Sequence, residues 1–166
     1  AKCISHLCRF NGQVDRFYSV GEHTLHGLAM MQYMRLSIPQ QRAFWLHDMP
    51  EAVLGEIVRP VKRIPVIGEE FKKLEFAEFA SMLAELGLSP NFMDLHQGVV
   101  ALYDNIMVAV EVDTIADDQV RELEKKYRMN HDNALHNWVA ERILTCELDS
   151  FEVEWELMGH FRRLFK

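Results

Sequence analysis

Gly21-Glu22-His23-Thr24-Leu25-His26-Gly27-Leu28-Ala29-Met30-Met31-Gln32-Tyr33-Met34-Arg35-Leu36 is the stretch on which the fold turns. Leu25, Leu28, Ala29, Met31 and Met34 return at steps of three and four, the spacing of one face of an α-helix. Ser37-Ile38-Pro39 interrupts this helix. Pro39 suits the first turn of a second helix, expected over residues 40–54 and stopped by Gly55. Pro60, Pro65 and Gly68 make residues 56–68 an expected loop. A third helix is expected over residues 69–86, with apolar Phe71, Leu74, Phe76, Phe79, Met82 and Leu83, the phenylalanines being core by default. Ser89-Pro90-Asn91 opens a long fourth helix running to about residue 117. The charged stretch 121–129 reads as a short helix or a solvated connection, and residues 131–148 and 151–165 as two further amphipathic helices. No strand, hairpin turn or internal repeat emerges, so the expectation is an all-α helical bundle forming a single domain over residues 1–166.

Composition narrows the function classes. At 166 residues the chain can bury one good core. With 49% hydrophobic and 26% charged residues it is globular rather than disordered. A formal net charge of −7 argues against a surface that coats nucleic acid. It leaves room for a small anionic substrate, because Arg59, Lys62 and Arg63 form a local cationic cluster. The three cysteines, Cys3, Cys8 and Cys146, include no C-x-x-C pair, so reduced thiols are expected. No apolar run approaches the roughly 20 residues that cross a bilayer, and Ala1-Lys2-Cys3-Ile4-Ser5 lacks the apolar core of a secretory signal. The expectation is a cytoplasmic protein with no membrane partner.

The chemistry concentrates in Ala43-Phe44-Trp45-Leu46-His47-Asp48-Met49-Pro50-Glu51, followed by Gly55-Glu56. An imidazole and a carboxylate set among core side chains need partners, and a metal ion satisfies both types. On a continuous helix Glu51 lies one turn from His47 and next to Asp48. His23 begins the preceding helix, where a facing ligand can come from. Asp104 and Glu111, seven residues apart, share one face of a helix otherwise made of Val, Ile and Met; a carboxylate there requires something positive opposite it. Two imidazoles and two carboxylates make a mixed N/O donor set suited to a divalent metal ion such as Mn²⁺, Co²⁺, Fe²⁺, Zn²⁺ or Ni²⁺.

The order His23, His47-Asp48, Asp104 resembles the HD-domain phosphohydrolases. The finer resemblance is to their short 5′-deoxynucleotidase-like branch, which includes phage dATP triphosphohydrolases. It is carried by Arg9-Phe10-Asn11-Gly12 with Tyr18-Ser19-Val20-Gly21-Glu22-His23, by residues 47–62, and by Tyr103-Asp104 with Glu111. The resemblance implies that His23, His47, Asp48 and Asp104 bind the metal and that Glu51 orients or activates water. It places Arg9 at a substrate phosphate and, with Glu51 and Glu56, in the catalytic set. It puts Phe10 against the sugar or base, and Lys62 on the phosphates within a substrate-binding segment that includes Pro60. Glu56 stands where an Asp is usual, and Phe10 where some relatives carry Trp. The implied activity is metal-dependent hydrolysis of deoxynucleotides, with release of triphosphate from a dNTP, dATP foremost. Mg²⁺ joins the metals to be tried, and a homo-oligomer, a dimer or larger ring, is implied as well.

Two other enzymic or binding readings stand beside this one: a 5′-deoxynucleotidase acting on dNMPs, and a non-catalytic nucleotide-binding helical domain. A ferritin-like di-iron bundle fails, because no Glu is followed three residues on by His. His26 reads as a packing or surface residue. His96 is a remote candidate for a second metal, and His6, His131, His136 and His160 have no supporting pattern.

Overall fold

The computed structural model describes residues 1–124 and 133–166, the side chains of residues 59, 60, 123, 124 and 133 excepted. The order of elements is α1 (Lys2–His6), a 3₁₀ turn (Arg9–Gly12), α2 (Val20–Tyr33), α3 (Ile38–Leu46), α4 (Glu51–Leu54), α5 (Arg59–Lys62), α6 (Pro65–Glu85), α7 (Phe92–Thr114), α8 (Asp118–Glu124), α9 (Asn133–Thr145) and α10 (Ser150–Leu164). Among the described residues the only β-type pairings are the isolated bridges Cys8–Ser19 and Val14–Ala116. The protein is an all-α bundle, and none of its described helices is long and apolar enough to cross a membrane.

Helix α2 is the axis. The Ser19 hydroxyl accepts the Glu22 N–H and so caps a donor that the first turn leaves without a partner. From Val20 to Leu28 every residue is buried, and α1, α3, α7, α9 and α10 all pack around it. A helix buried on all sides normally carries only apolar residues. Here Glu22, His23, Thr24 and His26 share the interior with Leu25, Leu28, Met30 and Met31, so each polar group needs an internal partner. His26 is buried rather than at the surface: its ring stacks parallel to Tyr18 at 6.0 Å between centroids, and its Nε2 lies 3.5 Å from Glu22 Oε1.

Other helices open on capping side chains. Gln40 accepts the Ser37 N–H at 2.9 Å at the head of α3. At α10, Asp149 accepts the Phe151 and Glu152 N–H groups, and Glu152 accepts the Asp149 N–H in return.

Three expectations need correction. The helix expected over residues 40–54 is broken: α3 stops at Leu46 and α4 starts at Glu51. Pro50 has no N–H and its ring collides with a carbonyl one turn earlier, so a straight helix cannot pass through it. The expected loop 56–68 contains α5 and the start of α6, which begins at Pro65 rather than residue 69, with the proline in the first turn. On α6, Phe71 and Leu83 are buried but Leu74 and Phe76 are exposed. Phe76 lies five residues after Phe71, roughly 140° around the helix, so the two rings cannot share a face. Of the stretch 121–129, only the part within α8 is described, and His131 falls outside the described residues.

One glycine sets the distance between α2 and α3. A Cβ on Gly27 would collide with the Phe44 ring, at Cε1 and Cζ. Gly27→Ala is therefore expected to overpack this contact and cost about 1–3 kcal/mol in urea unfolding. An unchanged midpoint would show that Phe44 can move aside freely.

Candidate metal centre

The site starts from the break in the helix. Between α3 and α4 the backbone tightens into i→i−3 hydrogen bonds: Met49 N–H to Leu46, Glu51 N–H to Asp48, and Ala52 N–H to Met49. In such a 3₁₀ path residues i and i+3 eclipse. Glu51 thus stays close to Asp48, as expected, although the continuous helix expected to carry it from His47 is interrupted. The Phe44 carbonyl, in the last turn of α3, accepts the His47 N–H at 3.3 Å and also His47 Nδ1–H at 2.5 Å. That second bond fixes the orientation of the ring.

His23, on the buried face of α2, is fixed in the same way from the other side. Its Nδ1 lies 2.6 Å from Glu111 Oε1, and Glu111 is wholly buried on α7. A carbonyl and an ionised carboxylate can only accept, so Nδ1 carries the proton in both rings. In the neutral imidazoles each Nε2 then holds a lone pair. The two Nε2 atoms are 3.4 Å apart. Asp48 Oδ2 stands 3.2 Å from His47 Nε2 and 3.6 Å from His23 Nε2, while Asp104 Oδ1 stands 3.5 Å from His23 Nε2. Lone pairs and carboxylate oxygens converging at this range repel unless a cation lies among them. Asp48 Oδ2 is moreover buried without a hydrogen-bond partner. His23, His47 and Asp48 are thus brought together as a group that can hold a metal ion, with Asp104 at its open edge. Imidazoles whose other nitrogen is tied to a carboxylate or carbonyl are the usual form of metal-binding histidine.

Arg9 closes the inner wall. The segment before it pairs with the entrance to α2, Arg9 N–H to Tyr18 and Val20 N–H to Leu7, which turns the arginine inward. Its Nε and Nη2 both lie 3.1 Å from Glu111 Oε2, and Nη1 lies 3.6 Å from Asp48 Oδ2. Burial opposes its charge, but Glu111, and after it Asp48, outweigh that and hold the guanidinium firmly protonated. Burial likewise pushes the Glu111 carboxyl upward, and Arg9 and His23 more than cancel it, so Glu111 stays ionised below the usual carboxylate range. Tyr18 adds a hydrogen bond of 3.0 Å to Glu111 Oε1.

The remaining expected residues sit around this core. Glu51 is buried; its carboxyl is pushed up to about 8 by burial and then by Asp48, against the pull of Arg9 and Lys62. Lys62 Nζ lies 3.6 Å from Glu51, 3.1 Å from Glu75, and over the Phe71 ring at 4.7 Å from its centroid. Glu56 accepts the Phe10 N–H at 3.2 Å, and burial raises its carboxyl above the usual range. Phe10 packs on Val108, Val112, Ala116 and Val120, with the Arg9 guanidinium 5.3 Å from its ring. The side chains of Pro60 and Arg59 lie outside those described. His96 stacks edge-on with Phe92 and joins no donor group among the described residues.

Sequence reasoning undervalued Glu111. Its seven-residue spacing from Asp104 was the available signal, for on one helix face the pair reaches the two opposite nitrogens of His23.

Two outcomes follow. Glu111→Gln leaves Arg9 buried without its counter-ion and is expected to cost about 3–5 kcal/mol in denaturant unfolding. It is also expected to weaken metal affinity about 10–100-fold by calorimetric titration. For Glu51, the folded-state value lies above the ordinary 4.5, so its contribution to stability is complete below pH 4.5 and is lost as pH rises through about 8. In metal-free protein, Glu51→Gln should flatten the fall in unfolding free energy across that window; an unchanged slope would show that the carboxyl ionises freely.

No family model matches the chain. Over 113 residues, 67% of this chain and 56% of the relative, it is 31% identical to "Uncharacterized protein YfdR" of Escherichia coli (strain K12). Over 117 residues, 68% of this chain and 59% of the relative, it is 29% identical to "Uncharacterized protein RCAP_rcc00048" of Rhodobacter capsulatus. The chain spans somewhat over half the length of the curated relatives it matches, and neither name states an activity.

Proposed function

We propose that this chain is a metal-dependent phosphohydrolase of the HD-domain type that acts on deoxynucleotides, releasing deoxynucleoside and triphosphate from a dNTP such as dATP. The observation that supports this most is the convergence of two Nε2 lone pairs on Asp48 and Asp104, with both imidazoles locked from behind. When bound there, a divalent ion lowers the pKa of the water it holds and neutralises charge on a phosphoryl oxygen.

The chain's own residues divide the remaining work. Arg9, permanently charged beside Asp48, meets the negative charge that grows on the phosphoryl group. Glu51 Oε2, buried and without a hydrogen-bond partner, is the acceptor for the proton of the attacking water. The water oxygen bonds to the phosphorus, the bond from phosphorus to the 5′ oxygen breaks, and the proton held by Glu51 is available to that leaving oxygen. Lys62 serves the phosphates beyond, and Phe10 offers an apolar face to the sugar or base.

Anion-exchange analysis of products decides the reaction. Purified protein is incubated with dNTPs, dNMPs and their ribose counterparts, each with Mn²⁺, Co²⁺ or Mg²⁺. Intact triphosphate from dATP is the expected result. Inorganic phosphate from dNMPs, with dNTPs untouched, would make the protein a 5′-deoxynucleotidase, and no turnover of any nucleotide would contradict the proposal. Asp48→Ala is expected to abolish both metal binding and turnover. Glu51→Ala should retain the metal while losing on the order of 10²- to 10⁴-fold in rate; loss of the metal instead would make Glu51 a ligand.

A further inference from the structure

Glu56 occupies an unexpected place. Its carboxylate reaches across from the segment after α4 to the backbone of the 3₁₀ turn that follows Arg9, where it accepts the Phe10 N–H at 3.2 Å. That turn is left-handed: Phe10 has φ 54° and Asn11 φ 53°, and Gly12 follows at 79°. For L-residues this conformation is unfavourable, and it persists only where its surroundings impose it. A phenylalanine has no intrinsic reason to adopt it. On one side the Phe10 ring is held by the apolar cluster of Val108, Val112, Ala116 and Val120. On the other, the turn closes on itself through Gln13 N–H to the Phe10 carbonyl at 3.0 Å. The bond to Glu56 is the third restraint, and it acts on the residue next to Arg9.

We propose that Glu56 is a positioning residue: by holding the Phe10 N–H it locks the left-handed turn, and the turn in turn holds Arg9 against Asp48 and Glu111 at the phosphate side of the site. In this role Glu56 needs an acceptor oxygen and neither gives nor takes a proton. The longer reach of Glu compared with Asp matters because the target is a backbone amide on a separate segment. The inference rests on the reading of Arg9 as the phosphate-binding cation, but its test does not depend on turnover.

The test compares Glu56→Gln, which keeps an acceptor oxygen, with Glu56→Ala, which does not. Hydrogen exchange of the Phe10 amide in metal-free protein is the first readout. Binding of inorganic phosphate to the Mn²⁺-loaded protein is the second. Glu56→Ala should speed Phe10 exchange and weaken phosphate binding, each on the order of 10-fold or more. Glu56→Gln should stay within about threefold of the parent protein in both. Adding Asn11→Gly to Glu56→Ala should recover about threefold in phosphate affinity, because glycine adopts positive φ without steric cost. If Glu56→Gln is as defective as Glu56→Ala in phosphate binding, or if Phe10 exchange ignores both substitutions, the proposal is overturned. Should the parent protein bind no phosphate at all, the phosphohydrolase reading fails, while the exchange rates still decide the part played by Glu56.

Discussion

The buried carboxylate of Glu111 is the constraint on which the rest depends. It lies on α7 with no exposure to water, a position that costs several kcal/mol unless every lone pair is met. Arg9, Tyr18 and His23 meet them, one from the 3₁₀ turn, one from the approach to α2, and one from α2 itself. A single side chain thereby ties the N-terminal segment, the central helix and the long helix α7 to one point. It also fixes the tautomer of His23, so that Nε2 turns its lone pair toward His47. Structure and chemistry are therefore not separable here: the group that satisfies the core also sets the tautomer of a candidate ligand.

A second constraint works through the backbone. Pro50 ends the regular hydrogen bonding of α3, and the tightened turn that results carries His47, Asp48 and Glu51 into the site from one short segment. The carbonyl of Phe44 fixes His47, and the Phe44 ring fills the space that Gly27 leaves on α2. Around the donor atoms, Asp48, Glu51 and Glu56 crowd together near Arg9, and Lys62 lies beside Glu51. Burial and mutual repulsion raise Glu51 for this reason, and a divalent cation would relieve the excess negative charge.

Much of this was legible in the sequence, and the parts that were not have identifiable causes. Helical periodicity announced α2, α3, α7 and α10, with Pro39 and Ser89-Pro90-Asn91 marking where α3 and α7 open, because those signals are local; the caps Ser19 and Asp149 went unread. His23, His47, Asp48 and Asp104 could be picked out because polar residues on apolar faces are costly enough to require an explanation. The break at residues 47–50 was hidden because the expected helix was drawn through Pro50 to the stop at Gly55, although proline chemistry argues against it. The exposure of Phe76 was missed because an apolar count ignores angular position. What no local pattern could reveal was tertiary: that Arg9 would meet Glu111, 102 residues away, or that Glu56 would reach the Phe10 amide. The left-handed turn at Phe10 and Asn11 was equally hidden, since nothing about phenylalanine favours it.

The most direct test of the central claim is a crystal soaked or grown with Mn²⁺ and measured for anomalous scattering. A single strong peak is expected, bonded to His23 Nε2, His47 Nε2, Asp48 and Asp104, at about 2.0–2.3 Å from each donor atom. A peak elsewhere, or no peak with the two imidazoles unchanged, would contradict it.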